Sequence, residues 1–127
     1  MLVRLPVPPS TNNLFVNLTK GGRASSKRYL AWQTEAGWML KQRPVMSFGQ
    51  MQVQVKIWVP RSNRRDVDNF AKGILDLLTK HRVYNDDRQV QRLTIERHDD
   101  KDALVEVMPY SETHSDERRI EAARKIA

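Results

Sequence analysis

The chain has 127 residues, enough for one domain whose core needs no covalent staple. It contains no cysteine, which excludes a disulfide framework, a thiolate metal site and a thiol nucleophile. Lys plus Arg number 22 against 15 Asp plus Glu, a net charge of +7 that favours a polyanionic partner.

No apolar run approaches the roughly 20 residues that span a bilayer. The proline-rich start does not read as a signal peptide. A cytoplasmic protein without a membrane partner is expected.

Residues 2–7 read as a short edge strand ended by Pro6, Pro8 and Pro9. Residues 10–27 read as a basic, flexible loop. Lys20, Arg23 and Lys27 in it suit DNA phosphates, though an ordinary surface loop has the same composition. A helix is expected from Ser26 to about Arg43, with Tyr29, Trp32, Ala36, Met39 and Leu40 on one face and Pro44 stopping it. Those aromatics are expected in the core, not as a base-stacking platform.

Met51 to Val59 alternates apolar and polar residues, the pattern of a strand with one buried face. Residues 61–65 form a basic loop. A second helix is expected over about 67–80, burying Val67, Phe70, Ala71, Ile74, Leu75 and Leu78. Residues 81–88 read as a loop. Val90–Arg97 and Ala103–Met108 read as an antiparallel hairpin closed by a polar turn at 98–102. Residues 111–127 are a charged tail or terminal helix. The expected fold is therefore α+β. Residues 1–110 form one domain in the order β-α-β-α-β-β, a mixed sheet packed with two main helices.

Acidic residues cluster within this basic chain. In a continuous helix Asp66 and Asp68 would point about 200° apart. They converge only if Asp66 precedes the helix in extended geometry and Asp68 lies in its first turn. Lys72 follows Asp68 by one turn, and Asp76 by another. Plain structural roles fit the same residues. Asp66 could cap the helix, Asp68 could meet its dipole, each for about 0.5–1 kcal/mol, and Lys72 could pair with Asp68. Asp86 and Asp87 precede a strand, where neighbours face opposite ways, so only one turns easily toward a shared site. The residues alone do not choose between them, and a simple turn remains open.

Taken together, the carboxylates suit a hard divalent cation that keeps part of its water shell. A cation makes their mutual repulsion tolerable and lowers the pKa of bound water. Lys72 could neutralise charge developing on a phosphoryl group. Arg61, Arg64 and Arg65 could hold flanking phosphates. His81, His98 and His114 are isolated and expected at the surface. There is no Gly-rich phosphate loop and no Ser-His-Asp pattern.

At these residues the sequence resembles the RusA family of Holliday junction resolvases. The likeness lies in Arg64-Arg65-Asp66-Val67-Asp68-Asn69-Phe70-Ala71-Lys72, in Ile74-Leu75-Asp76-Leu77-Leu78 and in Val83-Tyr84-Asn85-Asp86-Asp87-Arg88-Gln89-Val90. Pro8-Pro9-Ser10-Thr11-Asn12 resembles the family's N-terminal motif, and the similarity runs over about residues 2–108. Gly73 stands where family members often have alanine, and residues 111–127 look longer than the family core.

The resemblance implies that Asp66, Asp68 and Asp87 are the catalytic and metal-binding carboxylates, with Lys72 the functional lysine. Asn69 and Asp86 are left as supporting residues around them. It further implies a Mg2+-dependent homodimer, with Mn2+ able to substitute, that makes paired nicks in a four-way DNA junction. Prophage origin is common in the family. Two alternatives stay open: a flap or fork nuclease with the same site, and a basic protein that binds junctions without cutting them. The intact aspartates and lysine argue against the second.

Overall fold

The computed structural model describes residues 1–43, 47–112 and 114–126. Its strands are β1 (Leu2–Leu5), β2 (Phe15–Asn17), β3 (Arg23–Ser25), β4 (Val53–Pro60), β5 (Val90–His98) and β6 (Ala103–Pro109). Its helices are α1 (Lys27–Lys41), α2 (Ala71–Lys80) and α3 (His114–Ile126). Short 3-10 turns cover Thr11–Asn13, Val67–Phe70 and Asp87–Gln89.

Alternation sets the main sheet. Val53, Val55, Ile57 and Val59 of β4 are at most 1% exposed and point to one face. Ala103, Val105 and Val107 of β6 do the same beside them. These two apolar strands form the centre of a four-stranded sheet ordered β1-β6-β4-β5. β4 runs antiparallel to β6 and parallel to β5, so the sheet is mixed. Tyr29, Trp32, Ala36 and Leu40 of α1 and Ile74, Leu77 and Leu78 of α2 complete the same core. Tyr29 and Trp32 are core residues, as their spacing implied, whereas Trp38 of the same helix is exposed. The fold is α+β, as read from the sequence.

The expected β5–β6 hairpin does not form. β4 lies between the two strands, and the connection at 99–102 passes over its end. Burial explains this. β6 carries three fully buried side chains and needs neighbours on both sides, whereas β5 has only Val90 and Ile95 packed partly against the core and suits an edge. The acidic crossing is held by ion pairs, Arg4 with Asp100 at 2.6 Å and Arg61 with Asp99 at 3.0 Å. Those aspartates are structural.

Residues 10–27 are also more ordered than a loop. Leu14 is fully buried, and β2 pairs with β3 as a small antiparallel ribbon. Arg23 lies 4.3 Å over the Phe15 ring, and Phe15 meets Tyr29 edge-on at 5.7 Å. Helix α1 begins where Ser26 caps it, its hydroxyl oxygen accepting from the Tyr29 N–H at 3.1 Å. Pro44, expected to stop this helix, lies outside the described residues, as does the His114 side chain. The C-terminal segment is helical, and Arg92 pairs with Asp116 of α3 at 2.5 Å. Among the described residues no helix is long and apolar enough to cross a membrane.

Candidate active site

The chain leaves β4 at Pro60 and reaches α2 through a tight 3-10 turn. The expected helix over 67–80 is thus two pieces, and Val67 is 38% exposed instead of buried. Asp66 stands just before the turn with extended backbone, φ −60° and ψ 145°, and its side chain makes no capping bond. Its rival role as a helix cap is therefore not realised. Asp68 lies within the turn and Phe70 drives into the core at its end. The side chains of Asp66 and Asp68 have no hydrogen-bond or ion-pair partner among the described residues, and both are exposed.

Asn69 faces the N-terminal segment. Its Oδ1 accepts from the Thr11 N–H at 2.9 Å, and the Thr11 hydroxyl approaches the Asn69 carbonyl at 3.4 Å. This bond fixes residues 10–13 against the turn. Arg65 does related work: its Nη2 donates to the Pro8 carbonyl at 2.8 Å and its guanidinium lies 4.1 Å over the Phe70 ring. Burial lowers its pKa from the ordinary arginine value.

The two neighbouring aspartates separate cleanly. Asp86 has extended backbone, φ −151° and ψ 141°, and Asp87 opens the 3-10 turn that follows it. Asp86 caps that turn, accepting from the Arg88 N–H at 2.9 Å. Gln89 completes the cap. Its Oε1 accepts from the Asn85 and Asp86 N–H groups, both at 2.8 Å. Its Nε2 donates to the Gly49 and Met51 carbonyls at 2.7 and 2.8 Å. Asp87 instead turns toward α2, where Oδ1 accepts from the Thr79 hydroxyl at 2.5 Å and the Tyr84 hydroxyl at 3.3 Å. Burial, followed by the nearby Asp87 charge, raises the Tyr84 pKa far above ordinary tyrosine.

These pieces line one open cavity of about 530 Å³. Its walls hold Asp66, Asp68, Asn69, Lys72, Asp76 and Asp87, with Thr11 and Asn12 at one side. Lys72 pairs with Asp76 at 3.5 Å, one turn on, and not with Asp68. The break between the 3-10 turn and α2 removes the regular spacing on which an Asp68–Lys72 pairing rested.

Arg61, Arg64, Lys20, Arg23, Lys27 and Asp86 do not line this cavity. Arg61 is paired with Asp99, and Arg64, Lys20 and Lys27 are exposed. Arg65 lines an adjoining cavity of about 350 Å³ with Arg28, Ser10 and Asn13. Sequence reasoning gave no role to Arg28, Thr79 or Gln89, and it noted Asp76 only as lying one turn beyond Lys72. The hydroxyl of Thr79 is placed by helical geometry, eight residues before Asp87, and no local pattern announces it.

Among the described residues no three acidic or histidine side chains stand close enough to hold one ion between them. The donors facing the cavity are nevertheless all oxygen. They fit a hard cation that keeps several waters and takes one or two carboxylates, and not one enclosed by protein ligands alone.

The family model for endodeoxyribonuclease RusA matches residues 6–108, a span that contains every wall of the carboxylate cavity. The chain belongs to the RusA family. Individual relatives agree. The crossover junction endodeoxyribonuclease of Enterobacteria phage HK97 is 30% identical over 100 residues, covering 73% of this chain and 78% of that protein. The protein of that name from Escherichia coli K12 is 32% identical over 91 residues, covering 69% and 74%. That of Aquifex aeolicus is 28% identical over 93 residues, covering 70% and 71%. In this RusA-family chain, helix α3 lies beyond the matched span.

Proposed function

We propose that this protein is a divalent-metal-dependent endodeoxyribonuclease that resolves four-way Holliday junctions. The observation that carries the reading is the cavity itself. Two carboxylates unpartnered among the described residues, an oriented third and a lysine line one opening in a basic chain of this family.

Asp66, Asp68 and Asp87 would serve the ion, Mg2+ or Mn2+, one or two of them as direct ligands and the rest through its bound water. When bound, such an ion supplies Lewis acidity and an activated water for phosphodiester hydrolysis. The chain's own groups do the positioning. Thr79 and Tyr84 both donate to one oxygen, Oδ1, of Asp87, which lines the cavity, and the other oxygen would be the one offered to the ion. Lys72 stands 3.5 Å from Asp76, a separation its flexible stem can open to meet a phosphoryl oxygen as charge builds there. Arg64, Arg65 and Arg28 would grip neighbouring phosphates, with Lys20, Arg23 and Lys27 along the β2–β3 ribbon as further contacts. One such site cuts one strand. A two-fold homodimer would present two sites to the two equivalent strands of a junction and produce paired nicks. A cytoplasmic location would suit such a DNA substrate.

The test is cleavage of a synthetic four-way junction by wild type and by Asp68→Asn, with and without Mg2+. Wild type is expected to cut only with metal, and the variant to bind the junction and leave it uncut. Undiminished cleavage by Asp68→Asn would refute the assigned role of Asp68. A panel of junction, fork and flap substrates at one salt concentration tests the substrate, and preferential cutting of flaps would sink the resolvase assignment.

A further inference from the structure

Arg97 lies near the end of β5, on the same side of the strand as Ile95, and is half-buried. Its partners are backbone carbonyls. Nη1 donates to the Asn63 carbonyl at 2.7 Å and approaches the Pro60 carbonyl at 3.5 Å. Nη2 donates to the Arg65 carbonyl at 2.6 Å. Among the described residues no carboxylate pairs with it.

All three carbonyls belong to the segment that carries the chain from β4 to Asp66. The Arg65 carbonyl matters most, because it is part of the planar peptide unit that leads into Asp66. Fixing that plane fixes the direction from which Asp66 departs. The flanks are tied as well. The Arg65 N–H donates to Asn63 Oδ1 at 3.1 Å, and the Asp66 carbonyl accepts from the Asn69 N–H at 3.0 Å. Among the described residues the Asp66 side chain has no partner of its own, so its aim comes from its backbone.

We propose that Arg97 is a positioning residue for the carboxylate cavity. Its guanidinium fork braces residues 60–65 and thereby aims Asp66. Two carbonyls at different points of the loop need two N–H groups held in one plane, which arginine supplies and lysine does not. Arg97 therefore acts through the loop and not as a contact to DNA. The inference builds on the nuclease reading, yet the brace can be measured without any cleavage.

The experiment compares wild type, Arg97→Lys and Arg97→Gln by three readouts. The first is amide hydrogen exchange of the free protein. Both variants are expected to speed exchange at Arg65 and Asn69 while the β4 and β6 amides stay protected. The second is single-turnover cleavage of a four-way junction at saturating enzyme, expected to fall about 10- to 100-fold in both variants. The third is junction affinity without metal and its salt dependence, expected to remain within about threefold of wild type in both.

Unchanged exchange at Arg65 and Asn69 would overturn the brace whatever the cleavage result, including one in which wild type itself fails to cut. A loss of junction affinity in Arg97→Gln that Arg97→Lys restores would overturn it too, since it would make Arg97 a phosphate contact. Should Arg97→Gln not fold, Asn63→Ala weakens the same loop while leaving Arg97 in place. It is expected to speed exchange at Arg65, and unaltered exchange there counts against the proposal.

Discussion

Replacing Thr79 by valine should slow cleavage about tenfold while leaving junction binding intact. The Thr79 hydroxyl has a single proton and two acceptors in reach, Asp87 Oδ1 at 2.5 Å and the Leu75 carbonyl at 3.1 Å. The shorter, charge-assisted contact takes the proton. Such a bond is worth about 1.5–3 kcal/mol, and Asp87 is exposed, so water recovers part of it and the lower end applies. If about 1.4 kcal/mol of that orientation is expressed in the transition state, the rate falls tenfold. Tyr84→Phe removes a longer contact, 3.3 Å, and should cost about threefold. Tyr84 stays protonated at any working pH because burial raises its pKa, so its donor role does not titrate. Each single variant leaves the other hydroxyl in place. The double variant leaves Asp87 with neither, so its loss should exceed the product of the two single losses. Single-turnover cleavage of a four-way junction, with affinity measured without metal, decides the matter. A wild-type rate in Thr79→Val would refute the claim that this hydroxyl aims Asp87.

Two further outcomes follow from the packing around the helices. Burial first, then the Lys41 and Lys80 charges, hold the His81 pKa below its ordinary 6.5. The unfolded chain therefore takes up that proton before the folded one. Stability should fall as pH drops below about 6.5 and level off once folded His81 also protonates. His81→Gln should flatten this part of a denaturation profile taken from pH 7.5 to 5, and an unaltered slope would count against it. Gly73→Ala should give no gain in stability, although alanine in a helix is worth about 1 kcal/mol over glycine. A Cβ there would stand 3.3 Å from the Pro8 Cβ, with Leu14 at 3.8 Å and Trp32 at 3.9 Å. Overpacking offsets the helical preference. A rise of the full ~1 kcal/mol in chemical denaturation would refute this.

The parts of the fold that could be read from sequence are those where one periodicity dominates. β4 alternates strictly, and α1 repeats its apolar residues at helical spacing, so both were expected within a few residues of their ends. The β2–β3 ribbon was missed because its strands are three residues each, too short for a period to register. The β5–β6 hairpin was misread for a different reason. Two strands joined by a polar turn look like neighbours, but strand order is decided by which strands must be buried on both sides. That depends on the whole sheet and not on the turn. At the site, the motif residues Asp66, Asp68 and Asp87 were visible as a set. The choice between Asp86 and Asp87 was not visible from the residues alone, because it rests on Gln89 and Thr79, which recruit one aspartate to a cap and the other to the cavity. Gly73 stands out in the sequence only by resemblance, and what a side chain there would meet, Pro8, lies far away in sequence.

The spacing of the central motif makes sense once its turn is seen as a device for sorting five consecutive side chains between cavity, solvent and core. Asp66 must be extended to stand clear of the helix, and the 3-10 turn that follows is tight enough to bring Asp68 to the same cavity. A continuous α-helix would have placed the two about 200° apart. The turn also delivers Asn69 to Thr11 and Phe70 to the core beneath Arg65. The carboxylates are then held by different means. Asp66 is aimed through its backbone, its side chain unengaged among the described residues, whereas Asp87 is aimed through its side chain by two hydroxyls. This division has a physical logic. Carboxylates that share a cavity repel, so each needs a restraint that does not depend on the others. It also separates the consequences of mutation. Loosening the Arg97 brace should disturb Asp66 and spare Asp87, while Thr79→Val should do the reverse. Combining the two should give losses that multiply if each restraint serves its own carboxylate, and losses smaller than the product if both serve one shared geometry.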